Sequence, residues 1–315
     1  MRGPCGSDVA LTRDLTAEQE AVLDGGMPRL RDLPWRRTRD PWAVLVSEVM
    51  LQQTPVARVA PRWERFLDRW PTIASAAEAP LRDLLVDWKG LGYPRRARYL
   101  WLSARACVDR HGGSVPSTLP DLLALPGVGP YTARAVMAFA GGSAVGVVDT
   151  NIARVLARRA GRGLTAGAAQ ELADAWVPRE RAWEWNQVLM DLGATRCRPI
   201  PDCDGCPVDC AWRDAGFPDP DPAQGSAGVS RRQAPFAGSD RELRGRVLDH
   251  LSDGPRSRAS LERLLVGNTV DPQRLVAALD GLVRDGLVVA NRDDTFDLPR
   301  GETGPSEISV TAHGT

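Results

Sequence analysis

Four cysteines lie close together in this 315-residue chain, at Cys197, Cys203, Cys206 and Cys210, with the spacing C-x5-C-x2-C-x3-C. In a reducing compartment such a group indicates a metal site rather than disulfides. Structural zinc sites usually take their cysteines from two separated knuckles, whereas one compact loop with four thiolates suits a [4Fe–4S] cluster better. The spacing therefore predicts an iron–sulfur cluster, with zinc or a chance grouping as the alternatives.

Two carboxylates are candidates for acid–base chemistry. Glu48 lies in the middle of the predicted helix VLVSEVMLQ, among apolar neighbours. A carboxylate on an apolar helix face is costly unless it is partnered or functional, and burial would raise its pKa and favour a general acid. Asp149 precedes another predicted helix, in VVDTNIARV. The alternatives are a solvated helix face for Glu48 and a plain N-cap for Asp149.

The segment LPGVGPYTA (125–133) predicts a helix–hairpin–helix. Gly127 and Gly129 would allow the tight turn, and the backbone N–H groups there, with the following helix N-terminus, could hold a phosphate. No Lys-Ser or Lys-Thr pair follows, so the segment is not a nucleotide P-loop. The alternative is a turn between two helices with no ligand.

The elements that must position these residues are helices. Helical patterns alternate with short Pro- and Gly-containing breaks over most of the chain, and strand-like alternation is nearly absent. We expect an all-α domain over residues 29–216 after a loosely ordered lead (1–28). A Pro- and Gly-rich linker (217–240) should then join it to a winged-helix-like domain of three helices and a β-hairpin (241–299), followed by a disordered tail (300–315).

The charge is balanced overall, with 40 basic and 40 acidic residues, but unevenly placed. Residues 51–200 hold 20 basic and 13 acidic side chains, which could face a polyanion such as nucleic acid. The sequence has no run of 18 or more apolar residues, so we expect no membrane span. The N-terminus lacks the apolar region of a signal peptide. These patterns predict a cytoplasmic protein, which we expect to be monomeric and associated with the nucleoid.

Six motifs in order resemble the helix–hairpin–helix DNA glycosylases that carry a Gly/Pro-rich loop and a catalytic Asp. Within them, the chain resembles the MutY-type adenine DNA glycosylases over roughly residues 29–215. The motifs are SEVMLQQT (47–54), GLGYPRRAR (90–98), LPGVGPYTA (125–133), VVDTNIARV (147–155), WNQVLMDLGA (185–194) and the four-cysteine loop. The resemblance implies a two-lobed helix–hairpin–helix fold and removal of adenine opposite 8-oxoguanine or guanine in double-stranded DNA.

The resemblance also implies roles for individual residues. Glu48 matches the acid that protonates adenine N7, and Asp149 matches the carboxylate that stabilises or captures the oxocarbenium-like sugar. Tyr131 stands where relatives with strand-cleaving activity carry a Schiff-base lysine, which predicts a monofunctional enzyme. Asn151 matches a residue that supports the catalytic site, and Gln187 matches a residue that hydrogen-bonds the flipped base. Leu33, Trp35 and Arg36 match the adenine pocket. Gln53 and Tyr93 match the two residues that wedge into the duplex.

Three features depart from that family. The cysteine spacing is shorter than its usual C-x6-C-x2-C-x5-C, Thr150 replaces a common Gly, and residues 241–299 do not resemble the β domain that reads 8-oxoguanine. Two other functions stay open: a mismatch thymine or uracil glycosylase of the same fold, and a non-enzymatic iron–sulfur regulator with a winged helix. Glu48 and Asp149 together argue against the regulator, which needs neither.

Overall fold

The computed structural model describes residues 15–229, 235–265 and 270–301. The chain divides into two compact units. The first unit comprises Met1–Asp32 and Gly142–Ser230, and the second comprises Leu33–Gly141 and Arg231–Thr315. Helices dominate both units, and the three-stranded sheet of the described residues is small, which confirms the all-α prediction. No described helix is long and apolar enough to cross a membrane.

The first unit packs helices around one apolar core. Its helices are α1 (Ala17–Gly26), α9 (Thr150–Ala160), α10 (Ala166–Trp176), α11 (Ala182–Thr195) and α12 (Ala211–Asp214), with short 3-10 turns at Met27–Arg29 and Arg179–Arg181. Ile152, Val155 and Leu156 of α9 and Trp185, Val188 and Leu189 of α11 form the centre of this core.

Helix α1 corrects the expectation of a loosely ordered lead. Thr16 and Gln19 form a reciprocal capping box at its start. Val22 and Leu23 are fully buried in the core of the first unit, so residues 15–28 are an integral part of that unit. The predicted loose segment before residue 15 lies outside the described residues.

The start of the predicted linker is also packed. Asp221 forms an ion pair with Arg158, with 2.6 Å between Oδ2 and Nη2. Ser226 Oγ accepts a hydrogen bond from the Leu164 backbone at 3.0 Å, and Ala223 is buried. The prediction of a linker over 217–240 is therefore wrong for residues 217–229, because polar and apolar side chains in this Pro-rich stretch anchor it to the first unit.

The second unit contains helices α2 (Pro41–Leu51), α3 (Val56–Arg69), α4 (Ile73–Glu78), α5 (Leu81–Asp87), α6 (Arg95–Arg110), α7 (Leu119–Leu123) and α8 (Pro130–Phe139), with a 3-10 turn at Pro34–Arg37. The sequence pattern predicts one helix over 78–88. The structure instead ends α4 at Glu78 and begins α5 after Pro80, because the residue before a proline is disfavoured in the helical conformation.

Residues 235–301 belong to the second unit and form the C-terminal domain. It contains α13 (Asp240–Leu251), β1 (Arg256–Ser257), α14 (Arg258–Leu265), α15 (Pro272–Arg284), β2 (Val289–Ala290) and β3 (Thr295–Asp297). The sheet order is β1-β3-β2, with both pairs antiparallel. The three helices and the hairpin match the winged-helix prediction, and β1 is an additional strand. The predicted disordered tail lies outside the described residues from 302 onward.

Candidate active site

The helix–hairpin–helix is formed by α7, a turn and α8. Gly127 has a φ of +75°, and a Cβ at this position would lie 2.6 Å from the Cβ of Tyr99. A larger residue would therefore strain the backbone and clash. Gly129 is different: its backbone is extended, with φ −95° and ψ 178°, and a Cβ there would meet nothing within 4 Å. Of the two glycines expected to allow the tight turn, only Gly127 has a backbone conformation that favours glycine.

The hairpin brings Tyr131 to Glu48. Tyr131 lies in the first turn of α8, and its hydroxyl donates a hydrogen bond to Glu48 Oε2 at 2.7 Å. Glu48 is only 4% exposed, in a helix whose residues from Trp42 to Met50 are all buried. The structure thus excludes the alternative of a solvated helix face. It places a buried carboxyl group with a fixed orientation beside a phenol.

Asp149 is the N-cap of α9 and belongs to the first unit. Its carboxylate accepts hydrogen bonds from the backbone of Asn151 at 3.0 Å and of Ile152 at 2.7 Å, and from the Asn151 side chain at 2.9 Å. Desolvation raises the pKa of Asp149 above its ordinary value, and the three hydrogen bonds only partly oppose this shift. Asp149 therefore caps α9, and ionisation of its carboxyl group costs free energy because the group is desolvated.

Two polar side chains that the motif analysis did not single out support this carboxylate. Asn186 in α11 accepts a hydrogen bond from the Val147 backbone at 2.9 Å and donates one to the Val145 carbonyl at 3.0 Å, which fixes the segment leading to Asp149. Arg154 donates to Asn151 Oδ1 at 3.0 Å and to the Cys197 carbonyl. A continuous set of hydrogen bonds thus connects Asp149, through Asn151 and Arg154, to the cysteine loop.

The two predicted wedge residues share an uncommon backbone conformation. Gln53 has a φ of +56° and Tyr93 a φ of +48°, in the left-handed region that non-glycine residues rarely adopt. Such strain persists only where the surroundings fix the chain, and it concentrates at functional sites. The strained backbone is consistent with the predicted contact of Gln53 and Tyr93 with DNA, which stays a prediction.

A buried arginine fixes both of these loops. The Arg96 guanidinium donates to the carbonyls of Met50 and Gln52, at the end of α2, and to those of Leu91 and Gly92. Burial lowers the pKa of Arg96 to about 10. Sequence reasoning missed this role, since Arg96 is one of three arginines in GLGYPRRAR and nothing in the motif marks it as the buried one.

The predicted adenine-pocket residues occupy different environments. Leu33 and Trp35 are buried, and Trp35 packs edge-on against Trp63 with 6.1 Å between ring centroids. Arg36, in the same 3-10 turn, is half-exposed. Gln187 is buried in α11 of the first unit. Their part in holding a base stays a prediction.

The four cysteine side chains line one cavity of the first unit. Val155, Leu192, Val208 and Trp212 surround it with apolar groups. Arg158, which donates to Cys197 Sγ at 3.4 Å, adds a positive charge that would stabilise a thiolate. Among the described residues, no three Cys, His, Asp or Glu side chains lie close enough together to hold a single metal ion. Four thiols around one shared space fit a polynuclear cluster.

Comparison with known proteins gives consistent results. A profile of the HhH-GPD superfamily, described as base excision DNA repair proteins, matches residues 46–178. The chain is similar to the adenine DNA glycosylase of Mycobacterium tuberculosis, with 45% identity over 280 residues that cover 85% of this chain and 89% of that protein. It is also similar to the adenine DNA glycosylase of Homo sapiens, with 42% identity over 64% of this chain and 40% of that protein.

Solved structures show the same fold. A thermostable thymine-DNA glycosylase is 32% identical and superposes with a TM-score of 0.60 over 62% of this chain and 95% of its own. Endonuclease III in a trapped covalent intermediate with DNA is 25% identical, with a TM-score of 0.55 over 65% of this chain and 100% of its own. The mycobacterial match covers more of the chain than either structure does.

Proposed function

We propose that this chain, which belongs to the adenine DNA glycosylase family, hydrolyses the N-glycosidic bond of adenine opposite 8-oxoguanine or guanine in duplex DNA. The observation that carries this proposal is the buried Glu48 carboxyl group held by the Tyr131 hydroxyl. A glycosylase that expels a purine needs an acid at the base, and a buried carboxyl group retains its proton more readily than a solvated one.

Glu48 acts as this acid. With Oε2 fixed by the phenol of Tyr131, the carboxyl group has one defined orientation, which is proposed to meet the extruded base. Protonation at adenine N7 withdraws electrons from the glycosidic bond and makes the base a better leaving group. Leu33, Trp35, Arg36 and Gln187 are proposed to hold the base during this step.

Asp149 acts on the sugar. As the glycosidic bond breaks, positive charge develops on the deoxyribose, and a carboxylate stabilises it by electrostatics or by forming a bond. Asn151 orients the carboxylate through its side-chain amide. The raised pKa of Asp149 reflects an ionised group kept in a weakly solvated position, where its charge interacts strongly with a developing cation.

The reaction should stop at the abasic site. Strand cleavage by a glycosylase of this kind requires an amine that forms an imine with the sugar. The position in the hairpin holds Tyr131, which has no amine. Lys89 is the only lysine in the chain. Its ammonium group donates a hydrogen bond to Ser252 Oγ at 2.9 Å and forms an ion pair with Asp249 at 3.6 Å.

We also propose that Cys197, Cys203, Cys206 and Cys210 hold a [4Fe–4S] cluster. Their shared cavity, the all-thiol donor set and the adjacent Arg158 support it. When bound, the cluster would fix the fold of the cysteine loop. Arg154, which bonds the Cys197 carbonyl and Asn151, would then couple the order of this loop to Asp149.

The proposed partner is double-stranded DNA with an A:8-oxoG or A:G mismatch, bound by a monomer at the nucleoid. The DNA complexes among the similar structures support DNA binding. The backbone N–H groups of the hairpin at Gly127 and Gly129 are proposed to hold a phosphate. The excess of basic residues between 51 and 200 would favour such contacts.

A mismatch thymine glycosylase is the second candidate, favoured by the thymine-DNA glycosylase among the similar structures. Single-turnover cleavage of duplexes carrying A:8-oxoG, A:G, T:G and U:G, followed by alkali to reveal abasic sites, separates the two. Adenine release from the first two duplexes only supports the proposal. Release of thymine or uracil in its place would favour the second candidate.

A further inference from the structure

The C-terminal domain is attached to α5 and the loop after it by complementary charges. Arg82 forms an ion pair with Asp297 at 2.8 Å, and its guanidinium also donates to the Ser252 carbonyl at 2.9 Å. The Arg82 backbone N–H donates to the Pro299 carbonyl at 2.8 Å. Lys89 adds the bonds to Ser252 and Asp249 described above. The basic partners lie on the glycosylase side and the acidic ones on the C-terminal domain.

In one further contact near this junction, the basic residue lies on the C-terminal domain instead of the glycosylase side. Its partner is a proposed DNA-contacting residue. Arg241, at the start of α13, donates a hydrogen bond from Nη1 to the hydroxyl of Tyr93 at 2.7 Å. Its guanidinium carbon also lies 5.9 Å from the centroid of the Tyr93 ring, and that of Arg96 lies 5.5 Å from it. The phenol is therefore engaged by two arginines, one from each part of the second unit.

We propose that Arg241 is a positioning residue for base removal, which holds Tyr93 ready to enter the duplex. The proposal rests on the proposed function, because it requires that Tyr93 contacts DNA. The strained backbone of Tyr93 needs surrounding interactions to hold it, and Arg96 bonds the carbonyls beside it and lies over its ring, but makes no hydrogen bond to its hydroxyl. Arg241 fixes the ring. A side chain already held in its bound position loses less conformational entropy on binding.

The third helix of the C-terminal domain does not present a basic face for direct recognition of DNA. The third helix, which enters the major groove in winged-helix proteins, exposes the apolar Val276 and Val283 here. Arg274 on that helix is paired with Asp240 at 2.7 Å. The domain therefore acts on DNA binding through the glycosylase part, by way of Arg241, rather than through its own recognition helix.

A double-mutant cycle tests this positioning. The affinity of the full chain is measured for a duplex with 8-oxoguanine opposite adenine on a 2′-fluoro sugar, which resists hydrolysis. The variants are Arg241→Ala, Tyr93→Phe and the double substitution. Arg246→Ala is the matched control, since Arg246 lies in the same helix and makes no ion pair or hydrogen bond among the described residues.

We expect Arg241→Ala to weaken binding about ten-fold, since a half-exposed charged hydrogen bond contributes near the lower end of its usual range. The same substitution in the Tyr93→Phe background should have little further effect, and Arg241→Lys should restore part of the loss. Arg241→Ala and Tyr93→Phe should each lower the melting temperature by a few degrees at most, so a loss of binding measured well below both transitions reports positioning and not unfolding. Arg246→Ala should bind like the wild type.

Two results would overturn the proposal. The first is unchanged affinity of Arg241→Ala. The second is an equal loss in both Tyr93 backgrounds with a shallower salt dependence, which would mean that Arg241 itself contacts a phosphate. Because the cycle measures binding without base release, a wild type that binds but frees no adenine would refute the proposed function and leave the coupling measurable.

Discussion

Replacement of Asp149 by Asn separates the two roles that the structure gives this residue. Asn keeps a side-chain oxygen that can accept the hydrogen bonds from the backbone of Asn151 and Ile152, so the cap of α9 is retained. What is lost is the negative charge, together with the hydrogen bond that Oδ2 accepts from the Asn151 side chain. The proposal assigns catalysis to the charge and helix stability to the cap, so the variant should lose activity and remain folded.

Asp149→Asn should have a large effect on the rate of base release and little effect on thermal stability. Loss of one preorganised electrostatic group costs about 10²–10³-fold in rate, and loss of a carboxylate that acts directly on the sugar should cost at least that. Asp and Asn are nearly equal as N-caps, whereas Ala costs about 1 kcal/mol. Asp149→Ala should therefore lower the melting temperature by about 2–4 °C in a domain of this size, and Asp149→Asn should not.

The pH dependence has a definite sign. Because burial raises the pKa of Asp149, ionisation of this group destabilises the folded state relative to the unfolded chain. This cost is absent below the unfolded pKa and complete above the folded pKa. The difference in the free energy of unfolding between Asp149→Asn and the wild type should therefore favour the variant most near neutral pH. This advantage should disappear in acid. The wild-type rate should fall as the pH drops through the raised pKa.

The assay is single-turnover base release from an A:8-oxoG duplex, together with binding and thermal melting. The control is Asp271→Asn, which makes the same substitution at the N-cap of α15, where Asp271 accepts a hydrogen bond from the Arg274 backbone at 2.9 Å. It should leave the rate unchanged. Near wild-type rates for Asp149→Asn, or a loss of activity matched by a loss of folding, would refute the reasoning.

Three further predictions follow from the site. Glu48→Gln should reduce adenine release by at least about 100-fold, because Gln cannot donate the proton; a rate near that of the wild type would contradict the acid role. Borohydride should not trap the wild type on DNA, whereas Tyr131→Lys should introduce trapping; efficient wild-type trapping would point to Lys89 or the N-terminal amine. Metal analysis should find iron in excess of zinc, with Cys203→Ser losing iron and folded protein; one zinc and no iron would reject the cluster.

Sequence patterns predicted the structure correctly at positions where the residue type favours one local conformation or environment. Asp40 followed by Pro41 predicts the start of α2, and the structure has Asp40 as its N-cap. The hairpin at 119–139 and the three helices of the C-terminal domain follow in the same way from caps, glycines and apolar periodicity. The burial of Glu48 could be predicted because its helix has apolar residues on every side.

The rest depends on contacts between residues far apart in the chain. Nothing local distinguishes the buried Arg96 from its neighbours Arg95 and Arg98; the carbonyls that it binds become available only when α2 and the following loop are in place. The Pro-rich segment after residue 217 has the composition of a linker, yet Asp221 anchors it to Arg158. A chain cut near Pro220 would lose this anchor, so a truncation that tests the glycosylase part should end after Val229.

The most direct test of the central claim compares two duplexes that differ by one atom of the base. Single-turnover release is measured opposite 8-oxoguanine for adenine and for 7-deazaadenine, in which carbon replaces N7. If Glu48 protonates N7 of an extruded adenine, adenine is released and 7-deazaadenine is not, although both duplexes bind. Equal release of the two bases, or no release of adenine, would contradict the account.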